Sequence, residues 1–210
     1  MNVTIFGATG ATGKIAIKKA LEKGYRVTAY VRNRSKMDIV DPRLRVIEGD
    51  LSNERAIEQA LEKADAVLSF LGPKGKVTDN TLSDGVGNIV RLMEKQQVKR
   101  LVALGTRNIE VKEDGPDFRF WIMVNLLKIV ARGTYQEVIN MGLHIQQSTL
   151  DWTIVRIPWL TNKPATRKLN VGYFGENQSL TLSREDMAHF FIDQISDRHY
   201  IQKAPALSNI

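Results

Sequence analysis

Three glycines spaced by three, in Gly7-Ala8-Thr9-Gly10-Ala11-Thr12-Gly13, are the residues whose type and spacing point most directly to chemistry. They follow an apolar, β-rich run and open a helical pattern, and that position matters more than the spacing alone. Gly7 permits a sharp turn, Gly10 lets backbone approach a diphosphate, and Gly13 lets the helix pack closely on a sheet. The helix start, with Ala11 and Thr12, then presents unpaired amides to phosphate oxygens. This is not the phosphate loop of ATPases, because Gly13-Lys14 is followed by Ile15 where that loop requires Ser or Thr.

A dinucleotide site that prefers NAD places Asp or Glu after the second strand, about 20 residues beyond the loop. This chain offers Val31-Arg32-Asn33-Arg34-Ser35-Lys36 instead. A guanidinium there can fork onto a 2′-phosphate and stack on adenine. The expected cofactor is therefore NADP, with NADPH preferred over NADH, Arg32 as the leading contact and Lys36 beside it. A ligand-free glycine turn followed by a solvated basic loop would carry the same residues, and that alternative stands beside the first.

The elements that must position these residues alternate from the start of the chain. Strands are expected at Asn2 to Phe6, Arg26 to Val31, Arg45 to Glu48, Ala66 to Phe70, Leu101 to Leu104 and Thr153 to Ile157, mostly as continuous apolar runs. Between them, helical spacing covers Lys14 to Lys23, Glu54 to Lys63, Asn80 to Gln97 and Thr134 to Ser148, and Ser183-Arg184-Glu185-Asp186 opens a further helix. Gly24 is a helix stop, and a serine or asparagine caps the helix at Glu54. The expected fold is α/β: a Rossmann-type, doubly wound parallel sheet in a single three-layer domain over residues 1–210. The last residues carry little pattern.

Composition narrows the chemistry. With no cysteine among 210 residues, disulfides, thiolate nucleophiles and thiolate metal sites are excluded, which fits a reducing compartment. His144, His189 and His199 are too far apart in sequence for a local metal motif. A net charge of +7, dispersed rather than gathered in a run, favours an anionic small molecule, and no nucleic-acid docking motif accompanies it. Glu48 with Asp50, and Glu185 with Asp186, read as strand-end and helix-cap residues rather than as paired catalytic carboxylates.

No secretory leader is expected, because the first residues run straight into a strand pattern. No membrane span is expected either, since even Phe118 to Val130 is broken by Arg119, Asn125 and Lys128. The apolar segment 117–130 reads as a pocket wall, a lid, a subunit contact or a core-packed helix.

With the glycine loop, Val31-Arg32-Asn33, Gly49-Asp50-Leu51 and Thr153-Ile154-Val155-Arg156-Ile157-Pro158 in view, the chain resembles the atypical short-chain dehydrogenase/reductase superfamily. It looks closest to the branch holding flavin or biliverdin-IXβ reductases and NmrA-like NADP-binding proteins. Leu180 to Ala188 and Lys203 to Asn209 extend the likeness over nearly the whole length. The resemblance implies that Asp50 and Leu51 lie beside adenine and that Phe70, Leu71 and Gly72 end the fourth strand at the ribose. It further implies that Thr106 sits near the nicotinamide and that Pro158, Trp159 and Leu160 lie against its carboxamide.

One departure bears on mechanism. Dehydrogenases of the wider superfamily pair a tyrosine with a lysine four residues later, and here Tyr135 is followed at that spacing by Ile139. Alcohol or ketone chemistry is therefore not expected. A flavin or quinone takes hydride into a conjugated system without such a pair, so the expected activity is NADPH-dependent reduction of a small planar acceptor. Thr106 is the catalytic candidate, read either as orienting a reactant or as bonding backbone at a strand end. Tyr135, Trp159 and Phe174 are the candidate pocket residues, with core packing as the other reading of each aromatic. A cytoplasmic monomer or homodimer with no nucleic-acid or membrane partner completes the expectation, and an NADP(H)-sensing regulator of the NmrA-like type is the alternative.

Overall fold

In the computed structural model, strand β1 (Asn2–Phe6) shows why an apolar run becomes the middle of a sheet. Val3 and Ile5 enter the core on one face, while Phe6 enters the core on the other, where the Thr4 hydroxyl donates to the Ala60 carbonyl. The structure describes every residue except 74, 76, 78, 117, 119–121, 123, 124, 127, 129, 176 and 177.

Along the chain follow α1 (Ala11–Glu22), β2 (Arg26–Val31), β3 (Leu44–Glu48), α2 (Glu54–Leu61), β4 (Ala66–Ser69), α3 (Thr81–Lys95) and β5 (Arg100–Gly105). Then come α4 (Arg132–Gln146), β6 (Asp151–Arg156), β7 (Trp159–Thr161), β8 (Leu169–Gly172), β9 (Thr181–Ser183), α5 (Arg184–Asp193) and β10 (Ala206–Asn209). The main sheet has the order β3-β2-β1-β4-β5-β6-β10-β8, parallel throughout except for β10 against β8. One core joins α2, α3 and α4 to the sheet and the other joins α1 and α5, which makes three layers. Strand order reverses between β1 and β4, so their carboxyl ends open a crevice.

Gly24 ends α1 at φ +81°, Asn53 caps α2 by accepting from the Ala56 amide, and Ser183 caps α5 by accepting from the Glu185 and Asp186 amides. Asp186 does more than complement the helix dipole. It is fully buried and accepts from the Thr166 and Arg167 amides and from Asn209, tying the 166–167 turn and the chain end to α5. Burial pushes its carboxyl up, and these hydrogen bonds outweigh that and hold it below the ordinary range.

One expectation is corrected and another narrowed. The quiet C-terminus contains β10, which pairs with β6 through Ala206 and Arg156 and with β8 along four residues. β7, β8 and β9 are also strands of three or four residues, too short to impose a visible period. Of the four readings of segment 117–130, the core-packed helix is the one its described residues speak against; 117, 119–121, 123, 124, 127 and 129 lie outside the described residues. Its described residues Phe118, Ile122, Leu126 and Val130 are helical yet 47–74% exposed, so these four side chains do not pack in the core. Among the described residues no helix is long and apolar enough to cross a membrane.

Candidate functional site

The crevice at β1 and β4 is a cleft of about 480 Å³. Gly7, Thr9 and Gly10 form one wall, Arg32, Asp50 and Leu51 a second, and Phe70, Leu71 and Gly72 a third. The structure thus gathers nine of the residues expected at a dinucleotide into one cavity.

Each glycine of the loop has a separate steric reason. Gly7 turns at φ +72°, and a Cβ there would lie 2.8 Å from the Phe70 carbonyl carbon, so the loop touches the end of β4. A Cβ on Gly13 would collide with the Gly7 carbonyl oxygen and approach Ala8 Cα to 3.0 Å. At Gly10 the nearest atom would be the Gly7 oxygen at 3.2 Å, which leaves that face open to a ligand. Gly10 is also the N-cap of α1, and neither a side-chain cap nor an acidic residue occupies that first turn. Its amides and partial positive charge are left for an anion. Gly13→Ala is expected to cost about 1–3 kcal/mol of stability, whereas Gly10→Ala should keep the fold and weaken nucleotide binding; thermal melting and calorimetry separate the two.

Of the three basic residues after β2, the tertiary structure selects one. Arg34 turns toward β3, donating from Nη1 to the Val46 carbonyl at 3.2 Å. Asn33 accepts from the Ser35 amide and hydroxyl, fixing the tight turn at Arg34–Lys36 that carries Lys36 to an exposed position away from the cleft lining. Arg32 stays at the cleft, exposed, with no hydrogen bond or ion pair among the described residues. Its guanidinium is thus available to a ligand.

Asp50 is committed locally. Its Oδ1 accepts from the Ser52 hydroxyl at 2.6 Å, the Ser52 amide at 2.9 Å and the Asn53 amide at 3.1 Å, and these bonds, the Ser52 hydroxyl first, hold the carboxyl below the ordinary range. The Asp50 carbonyl accepts from the Tyr30 hydroxyl at 2.6 Å. Burial, with the charge of Asp50 second, pushes Tyr30 up to about 12, so its ring lines the cleft as a neutral phenol.

Sequence reasoning missed Tyr30, Val77, Asp79, Thr81, Leu82 and Glu137, all of which line the same cleft. Glu137 is the most consequential. It is 1% exposed, and its carboxylate accepts from the Leu82 and Ser83 amides, both at 2.8 Å, and from the Ser83 hydroxyl at 2.7 Å. A side chain of α4 thereby fills the N-terminus of α3 that faces the cleft, while that of α1 stays uncapped. Nothing in the helical pattern around Glu137 distinguishes it from a solvated acid.

The remaining candidates lie outside the cleft lining, further along the carboxyl edge of the sheet. Thr106 follows β5 and is half-buried; its Oγ1 accepts a long bond from the Asn108 amide at 3.4 Å, so the backbone-bonding role is realised there. Pro158 and Leu160 are half-buried and Trp159 is 68% exposed on β7, a surface position rather than a core one. Tyr135 is half-buried, with Lys128 Nζ 5.2 Å from its ring centre.

Phe174 is a correction. It is 1% exposed and lies under the guanidiniums of Arg107 and Arg156, each 5.0 Å from its ring centre, so it is core rather than pocket wall. Arg156 is fully buried and donates to both oxygens of Asp114, at 2.6 and 2.8 Å, and to the carbonyls of Ile109 and Ala204. The clamp fixes the 107–114 loop that follows Thr106.

A family model described as NAD(P)H-binding matches residues 7–198. A probable pinoresinol-lariciresinol reductase from Arabidopsis thaliana is 25% identical over 219 residues, spanning 98% of this chain and 67% of the plant protein. A short-chain dehydrogenase/reductase from Veillonella parvula, solved in complex with NADP, superposes with a TM-score of 0.79 at 20% identity, over 99% of this chain and 94% of that one. An anaerobillin reductase from Escherichia coli O157:H7 superposes at 0.78 with 19% identity, over 100% and 97%.

Proposed function

Because this chain belongs to the NAD(P)H-binding family, we propose that it works as a cytoplasmic, NADPH-dependent reductase of a small planar acceptor such as a flavin or quinone. The observation that carries the reading is the pairing, in one cleft, of the uncapped start of α1 with an unengaged Arg32. The cleft fits the cofactor by its own stereochemistry. Gly7 and Gly13 let the loop and α1 close tightly on β4 and on the turn, Gly10 leaves its face open to a ligand, and no acid stands in the first turn of α1 to repel a diphosphate.

In this reading the amides at the start of α1, with Thr9 and Thr12, hold the diphosphate, and Arg32 holds the 2′-phosphate. Asp50, Leu51 and Tyr30 flank the adenine, while Phe70, Leu71 and Gly72 border the ribose. Thr106 and Pro158 to Leu160 border the nicotinamide and Tyr135 the acceptor. The nicotinamide, when bound, supplies hydride to the acceptor. The chain's own work is positioning: it keeps the two planar groups face to face and limits water between them. Thr106 has a hydroxyl hydrogen that can orient either reactant. A conjugated acceptor takes its proton from solvent, so the isoleucine at 139 is no obstacle.

Support from known proteins is of the same grain: the NADP complex of one structural neighbour and the reductase names of two relatives fit hydride chemistry. Stopped-flow mixing of the protein and NADPH with FMN, riboflavin and a small quinone is expected to show protein-dependent NADPH oxidation with at least one of them. Its absence with all three would overturn the reductase reading.

The position-139 isoleucine favours a second reading, in which the protein senses NADP(H) and regulates a partner. Capture experiments with and without nucleotide that return no nucleotide-dependent partner would count against it.

A further inference from the structure

Beyond the cleft, the loop that leaves the carboxyl end of β5 holds a charge imbalance. Arg107 directly follows Thr106, and its Nη1 donates to Asp114 Oδ2 at 2.9 Å. That carboxylate is already engaged on both oxygens by the fully buried Arg156 and also accepts from the Val111 and Phe174 amides. Burial pushes Asp114 up, but the Arg156 hydrogen bond and charge, with Val111 and Arg107, hold it below the ordinary range and therefore ionised. One carboxylate thus faces two guanidiniums, and one positive charge is left over in a largely desolvated cluster.

The surplus belongs to Arg107. Arg156 uses four of its five N–H donors, whereas Arg107 uses one, and its Nε and Nη2 have no acceptor among the described residues. Glu110 and Glu113 are exposed, and neither pairs with Arg107. The Arg107 side chain retains 17% exposure, and the Phe174 ring 5.0 Å beneath it holds its plane still. A guanidinium that is nearly buried, rigid and left with unused donors is preorganised for an anion, since little side-chain entropy remains to be lost on binding. It stands at the carboxyl edge of the sheet, where open α/β folds place ligands, on the β5–β6 side away from Arg32.

We propose that Arg107 is an acceptor-recognition residue, which selects planar acceptors carrying a carboxylate or phosphate by forking onto that group. The inference deepens the reductase reading and depends on it only for the planar part of the ligand. Both anions share the chemistry of paired oxygens, and the test separates them: FMN against riboflavin for phosphate, and a naphthoquinone with and without a ring carboxylate for carboxylate.

Binding is read on the NADP-loaded protein by quenching of flavin fluorescence and by calorimetry for the quinones. In the wild-type protein the anionic member of at least one pair is expected to bind about tenfold or more tightly than its neutral twin. Arg107→Gln should bring that ratio close to one, and Arg107→Lys, which keeps the charge but not the fork, should fall between. A purely structural Arg107 would weaken both members equally. Equal affinities within both pairs in the wild type, or a ratio that survives Arg107→Gln, would overturn the proposal. Asp114 keeps both hydrogen bonds to Arg156 in these variants, so thermal melting should change little. An anion preference without any NADPH oxidation would support the site and sink the reductase reading.

Discussion

Arg32→Ala is expected to weaken NADPH binding by about tenfold to a hundredfold, with little change for NADH. The residue is exposed at the cleft and has no hydrogen bond or ion pair among the described residues, so its removal costs the apo fold almost nothing and the loss falls on the bound state. The range allows for solvent screening of an exposed guanidinium, and rising salt should narrow the difference between wild type and variant. Lys36→Ala serves as the control and should have a small effect, because the turn at Arg34–Lys36 carries it away from the cleft. Calorimetry with both dinucleotides decides: equal losses for NADPH and NADH would refute phosphate recognition by Arg32. Wild-type protein that saturates with neither would bring down the nucleotide-binding reading as a whole.

Arg156→Met is expected to cost about 3–5 kcal/mol of stability, because it strips the buried Asp114 carboxylate of its two-pronged cation and leaves Arg107 as its one cationic partner among the described residues, with the Val111 and Phe174 amides. The Ile109 and Ala204 carbonyls also lose their donor. Asp114 ionises more readily in the folded protein than in the unfolded one, so in the wild type it stabilises at neutral pH. That contribution is lost as pH falls below about 4 toward its folded value. In the variant, burial raises the same group, so the gap between the two proteins should shrink on acidification. Urea melts at neutral and mildly acidic pH measure this, and a gap that stays constant would show that the lost stability comes from packing rather than charge. Replacing Asp114 by Leu in the same variant should recover part of the loss.

Arg156 and Arg32 also mark how far the sequence could be read. Strand-to-helix alternation, the glycine loop at the first βα turn and the basic stretch after β2 were all legible, and the helices fall within a few residues of where their spacing puts them. Asn53 and Ser183 cap helices because a short polar side chain needs only its own next turn. Phe174 and Glu137 escaped for the opposite reason. An isolated aromatic and an acid on a helix have many uses, and the groups that settled theirs lie far along the chain: Arg107 and Arg156 for one, Leu82 and Ser83 for the other. The short strands β7 to β10 escaped because three or four residues carry almost no periodic signal, and their partners define them.

By itself, the order of residues determined the α/β class, the glycine loop that opens α1 and the basic residues after β2, since each rests on backbone conformation and near-neighbour spacing. Only the tertiary structure showed that Arg34 turns onto β3 and Lys36 is carried off the cleft lining, which leaves the favoured Arg32 there, that α3 is closed by Glu137, and that Asp114 is shared by two arginines. Those outcomes depend on which distant segments the sheet register brings side by side, and hydrogen bonds and charges act over a few ångströms of space whatever their separation along the chain.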